Sequence, residues 1–157
     1  MEKHYDTLRF EIFDPYEAKE TWAVEFDKRN WHSVKIFVND NELNALLVEL
    51  EDKEKGVLTP TNPANEYGHN GVYIVDQLES DYADSYGASV CCCAGCGEEG
   101  CWGIRVKVRK SEHEVVWHDF EHEHMSYTYG GLEFHFERNA YDAEIRKLQQ
   151  WAKQYKH

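Results

Sequence analysis

The chain lacks any apolar run near the roughly 20 residues that a spanning helix needs. Its first ten residues, MEKHYDTLRF, carry charges where a secretory signal needs an apolar stretch. These two absences predict a soluble cytoplasmic protein that uses no membrane. Positive charge is also scarce, with 17 Lys and Arg against 30 Asp and Glu, a formal net charge of −13. Such a surface repels nucleic-acid backbones and anionic lipids, which argues against both as partners and favours a basic protein instead. Only three prolines interrupt the chain, and no repeat, low-complexity tract or linker divides it. No G-x-S-x-G, Walker or G-x-G-x-x-G pattern is present, so the common nucleophile-elbow and nucleotide-binding chemistries have no sequence support.

What is present is enough for a folded protein. Hydrophobic residues make up 41% and aromatics 14% of 157 residues, which is far from the composition of a disordered chain. A chain of this length buries about two thirds of its unfolded surface as one domain, here residues 1–157.

Two periods organise it. Leu8, Phe10 and Ile12, then Trp22, Val24 and Phe26, then Val34, Ile36 and Val38 alternate as strands of an antiparallel meander. The period then changes to 3.6, with Leu43, Leu46, Leu47 and Leu50 on one helical stripe. Asn39 and Glu42 have the spacing of a capping box, which predicts a helix over about 40–52, stopped by Gly56. Residues 56–70 form an irregular loop holding the last two prolines. Val72, Ile74 and Val75 predict a short strand, and the acidic, tyrosine-rich residues 76–88 show no clear period. Ser89–Cys93 reads as extended. Ile104, Val106 and Val108 alternate with Arg105, Lys107 and Arg109, and residues 113–120 return antiparallel. Tyr127 and Tyr129, Gly130-Gly131, then Phe134 and Phe136 predict a further hairpin. A closing helix over about 139–153 carries Tyr141, Ile145, Leu148 and Ala152 on one face behind an Asn139 N-cap. The fold class is therefore α+β, a mostly antiparallel sheet with two helices packed on it.

Chemistry concentrates between Ser89 and His124. All five cysteines fall between Cys91 and Cys101. Cys93-x2-Cys96-x4-Cys101 offers three thiolates to zinc, with Cys91, Cys92 or a histidine of the following hairpin as the fourth ligand. Against zinc stands the absence of a second C-x2-C, and free cysteines also pack as small hydrophobes. Thiol redox chemistry needs a cation near the thiol, for which Arg105 and His113 are the candidates. In a reducing compartment no stable disulfide is expected among the five. Asp119, Glu121 and His124 form a third constellation, either an acid–base group or a structural clasp. In a straight strand Asp119 and Glu121 share a face with Trp117, while Val116 and Phe120 lie on the other. A turn after Phe120 removes that separation. Arg138, at the positive end of the closing helix, calls for a carboxylate partner, and Asp119 or Glu121 is the expected one.

These residues also carry a resemblance. Cys96-Gly97-Glu98-Glu99-Gly100-Cys101-Trp102 resembles the C-G-x-x-G-C-W signature of a family of small uncharacterised bacterial proteins. Trp117, Asp119-Phe120-Glu121 and His124 resemble that family's W-x-D-F-E-x-x-H block. Phe134, Phe136, Arg138 and Tyr141 resemble its F-x-F-x-R-x-x-Y block. The segment after Val38-Asn39 is similar to its V-N-G-x-x-L, with Asp40 in place of glycine. Ala94 and Gly103 depart from the pattern, so any ligand set carried over is rearranged. The resemblance implies positions and no reaction. The reading that follows is a non-catalytic binding or interaction module with a cysteine-rich turn. Its binding candidates are Trp102, Trp117, Asp119, Glu121, His124 and Arg138, and its zinc candidates are Cys91, Cys93, Cys96 and Cys101. The alternative is a metal-dependent or thiol enzyme that uses the same turn with Asp119, Glu121 and His124.

Overall fold

A computed structural model describes residues 4–13, 33–53, 74–91, 104–122, 127–129 and 131–154. The predicted strand at 22–26 and the loop over 56–70 lie outside them. The class is α+β, with two antiparallel sheets and helices packed against them. Among the described residues no helix is long and apolar enough to cross a membrane.

The smaller sheet follows the alternation. β1 (Leu8–Phe13) pairs antiparallel with β2 (Ser33–Val38), from Leu8↔Val38 to Phe13↔Ser33. Phe10, Val34, Ile36 and Val38 are turned into the core. β2 then folds back on the two-residue β3 (Asn41–Glu42). Both residues between them are left-handed, Asn39 at φ 53° and Asp40 at φ 64°, the backbone of a type I′ hairpin turn. This overturns the capping-box reading of Asn39. Its carboxamide accepts Thr7 N–H at 2.9 Å and donates to Asp6 Oδ1 at 2.9 Å. The helix therefore starts later than expected, as α1 (Leu43–Lys53), with Leu43 and Leu47 fully buried.

The expected short strand around Ile74 is instead one helical turn and a half, α2 (Ile74–Leu78), with Ile74, Val75 and Leu78 buried. Leu78 stands four residues after Ile74 and three after Val75, and residues three and four apart share a helical face, a spacing that the short apolar run concealed.

The larger sheet contains β4 (Ala88–Cys91), β5 (Ile104–Lys110), β6 (Glu114–His122), β7 (Tyr127–Thr128) and β8 (Phe134–Glu137), all antiparallel to their neighbours. β6 is central: β5 lines one side, while β7 and β8 share the other. The expected hairpin of Tyr127–Tyr129 on Phe134–Phe136 does not form, because both segments pair with β6. The chain just ahead of β1 lies parallel to β8. There Asp6 N–H donates to His135 O at 2.8 Å, and His135 N–H donates to Asp6 Oδ2 at 2.8 Å.

The closing helix, α3 (Arg138–Gln154), packs on β1, β6 and β8. Its cap is Glu137 rather than Asn139: the Glu137 carboxylate accepts the N–H of Asn139 at 3.0 Å and of Ala140 at 2.9 Å. That places a negative charge on the helix's positive end. Arg138 is offset by Asp142, 3.1 Å away one turn along, and donates to Ser111 O at 2.7 Å. Its partner is thus neither Asp119 nor Glu121. Glu144 reaches across to accept Phe10 N–H at 2.9 Å, tying α3 to the edge of β1.

The core joins both sheets and the helices in one cluster. At its centre the Trp117 ring stands edge-on to Phe136 (5.3 Å) and to Tyr141 (6.4 Å), and Phe136 stacks on Phe134 and Tyr141. Trp117 Nε1–H donates to the Tyr141 hydroxyl at 3.2 Å. Burial pushes the Tyr141 phenol well above its ordinary range, and the Trp117 hydrogen bond opposes this only in part. Five aromatics of the second and third sequence blocks, Trp117, Phe120, Phe134, Phe136 and Tyr141, therefore hold the fold together.

Candidate functional site

The outer face of the β5–β6 pair carries the polar residues that the core leaves over. Its geometry begins with one extra residue. Arg105 faces Glu121 and Lys107 faces His118, so two residues of β6 lie opposite the single Val106. Asp119, at φ 52°, takes the left-handed position of this bulge. A short polar side chain is among the few that tolerate it. The bulge changes which residues share a face. Phe120 turns inward beside Trp117 and meets Phe134 edge-on at 5.7 Å, against the straight-strand expectation that it joins Val116 on the other face. His118 and Glu121 remain outside with Lys107 and Arg105.

These outer groups are largely paired with one another. His118 is 15% exposed, with Nε2 3.0 Å from Asp84 Oδ1 and Nδ1 3.1 Å from Asp119 Oδ2. Lys107 Nζ lies 3.9 Å from the same Asp119 oxygen. Arg105 donates Nε–H to Tyr86 O at 3.0 Å and Nη2–H to Gly87 O at 2.8 Å. Each His118 nitrogen faces a carboxylate, so neither is placed to take a proton from a bound substrate. A second imidazole repeats the arrangement, with His135 between Glu114 (2.9 Å) and Glu133 (2.5 Å). Further along, Lys110 pairs with Glu79. Burial first, then the Arg138 guanidinium, pull the Lys110 amine below its usual range, while Asp142 raises it.

The turn over residues 79–87 runs beside β5 at the margin of this face and is firmly held. Tyr82 O accepts the N–H groups of Ser85, Tyr86 and Gly87, and Ala83 O accepts Val108 N–H at 2.9 Å from β5. Ala83 and Gly87 are buried against the sheet. Gly87, at φ +83°, has room for no side chain, since a Cβ there stands 2.6 Å from Val106 O. From this braced turn Tyr82 and Tyr86 project into solvent, 64% and 74% exposed, their rings edge-to-face at 5.8 Å. Two open concavities flank Arg105. One, of about 320 Å³, is lined by Asp76, Ser80, Tyr82 and Tyr86. The other, of about 210 Å³, is lined by Tyr86, Lys107, Asp119 and Glu121.

Of the binding candidates, Asp119 and Glu121 are exposed on this face, Trp117 is fully buried, and Arg138 sits at the start of α3. Trp102, His124, Cys93, Cys96 and Cys101 lie outside the described residues. Cys91 ends β4 with its backbone opposite Ile104, so the two ends of the cysteine-bearing segment are strand partners. Among the described residues no cluster of three or more His, Cys, Asp or Glu is arranged to hold a metal. Sequence reasoning missed Tyr82, Tyr86, Asp84 and His118. The one available signal was an acidic, tyrosine-rich stretch without a burial period, which is what aromatic residues left in solvent produce. Compared with known proteins, the chain matches no family model, no curated protein and no solved structure.

Proposed function

We propose that the chain is a non-catalytic, cytoplasmic binding module for a basic protein partner. The contact surface is the outer face of β5–β6 with the turn that carries Tyr82 and Tyr86. The observation that carries this reading is the pair of exposed tyrosines on a braced turn, beside a sheet face where His118, Asp84, Asp119 and Lys107 are tied to one another. Large exposed aromatics are contact anchors, and a turn that is ordered beforehand loses little entropy on docking. The enzyme alternative draws on the cysteine turn with Asp119, Glu121 and His124. Of these Asp119 is tied to His118 and Lys107, and His124 with Cys93, Cys96 and Cys101 lies outside the described residues.

A photo-crosslinking residue at position 86 should yield one discrete protein adduct in cells, and the same residue at Glu112, on the exposed turn between β5 and β6, should yield none. If positions 82 and 86 give no adduct, the reading fails.

The cysteine-rich segment enters as a zinc staple. The pairing of Cys91 with Ile104 supports this, because a metal held between them closes a hairpin whose stems already adjoin. Elemental analysis of protein purified without added metal should find one zinc per chain, lost in Cys96→Ser together with stability. Stoichiometric zinc in a Cys96→Ser/Cys101→Ser double variant refutes the assignment.

A further inference from the structure

We propose that the Tyr82–Tyr86 turn is a receptor for a cationic side chain, the guanidinium or ammonium of an arginine- or lysine-bearing segment of the partner. The inference rests on the binding-module reading and names the chemistry the surface selects. An edge-to-face pair leaves outward ring faces in water, and both rings are more than three-fifths exposed. A ring face of this kind attracts a cation through its quadrupole. The adjacent carboxylates share that preference: Asp76 lines the concavity with the two rings, and Asp81 and Asp84 flank Tyr82, all three exposed. Arg105 lines the inner side of the same concavity, but its guanidinium donates to the Tyr86 and Gly87 carbonyls and it stands opposite Glu121. This cation is thus engaged on the sheet side while the ring faces look outward. With a chain charge of −13 behind it, the turn presents aromatic faces in a negative field. That combination suits a cation and disfavours an anion.

The test is an NMR titration of the full ¹⁵N-labelled chain with acetyl-Gly-Arg-Arg-Gly-amide, using acetyl-Gly-Gln-Gln-Gly-amide as the uncharged control. Saturable shifts are expected at Tyr82, Tyr86 and Gly87, with little response to the glutamine peptide. In Tyr82→Leu/Tyr86→Leu the apparent Kd should weaken about tenfold, the loss of two exposed cation–π contacts. Tyr86→Phe, which keeps the ring face, should bind like the parent. Both tyrosines are exposed, so these variants should melt as the parent does, and a melting curve checks it. Shifts spread over the whole acidic surface and unchanged in the leucine variant overturn the inference, because net charge alone then attracts the peptide. Equal shifts from the glutamine peptide overturn it too. If the arginine peptide gives no localised shifts while the crosslink from position 86 still forms, this inference falls and the binding-module reading stands.

Discussion

The two faces of β6 do different physical work with neighbouring residues of one strand. Inward, Val115, Trp117 and Phe120 are at most 1% exposed, and the Trp117 and Phe120 rings meet those of Phe134, Phe136 and Tyr141. Outward, His118 and Asp119 meet Lys107 and Asp84 through charges at the solvent boundary, and Glu121 lies opposite Arg105 in the register. Stability should reside in the first set, where each side chain loses both its water and its freedom. The second set exchanges hydration for ion pairs of almost equal worth. That division is why the outer face is free to be a contact surface: its residues can change with little effect on the fold.

The comparison breaks most visibly at Trp117. Trp117→Ala removes the ring at the centre of the aromatic cluster and should cost about 3–5 kcal/mol in chemical denaturation, enough to unfold a marginal domain. A cost below that of the outer-face substitutions would reverse the assignment of the two faces.

Next in size is Gly87→Ala, which tests whether the tyrosine-bearing turn is truly braced. Positive φ combined with a 2.6 Å approach to a backbone oxygen predicts a loss of about 2–3 kcal/mol. A melting point like the parent's would mean that the turn moves aside freely, and the preorganised surface would be lost with it.

Tyr141→Phe sharpens the inner side. It removes the acceptor of the Trp117 indole N–H and should cost about 1 kcal/mol near neutral pH. The difference shrinks in alkali. Because burial raises the folded phenol above its unfolded value, the unfolded chain ionises first. Tyr141 therefore weakens the parent as pH rises beyond about 10, the ordinary tyrosine value. Melting curves of parent and Tyr141→Phe should converge above that pH. Parallel curves throughout would show that the phenol is not held apart from water.

How much of this was legible in the sequence depended on whether a residue type has one use or several. The stripes of Leu43 and Leu47, and of Tyr141, Ile145 and Leu148, have a single explanation, and both helices formed where their periods lie. Asn39 did not, because asparagine serves an N-cap and a left-handed turn equally well. Only pairing with Asp6 and Thr7, more than thirty residues away, selects the turn. Glu137 was overlooked as a cap since glutamate seldom fills that position, and here the end of β8 aims its carboxylate at the helix. The Asp119 bulge was illegible for another reason. One inserted residue leaves local composition unchanged yet exchanges the two faces beyond it. The outer-face site followed from that exchange, so it was hidden as well.

Asp119 gives the smallest expected effect and the finest test of the two faces. Glycine adopts left-handed backbone without strain, so Asp119→Gly relieves the bulge by up to about 1 kcal/mol. The same substitution removes the contacts to His118 Nδ1 and Lys107 Nζ. Asp119 is 65% exposed, and pairs in that setting are worth roughly 0–1 kcal/mol after solvent screening. The two effects should nearly cancel, leaving stability within about 0.5 kcal/mol of the parent. Asp40→Gly is the control, since Asp40 is left-handed too but its position is fixed by a turn rather than a charge cluster. It should show the backbone gain, up to about 1 kcal/mol, more nearly undiminished. If Asp119→Gly instead loses 2 kcal/mol or more while Asp40→Gly gains, the outer charges hold the fold as firmly as the inner rings. The contrast between the faces of β6 would then be wrong, and the freedom of that face to serve a partner would go with it.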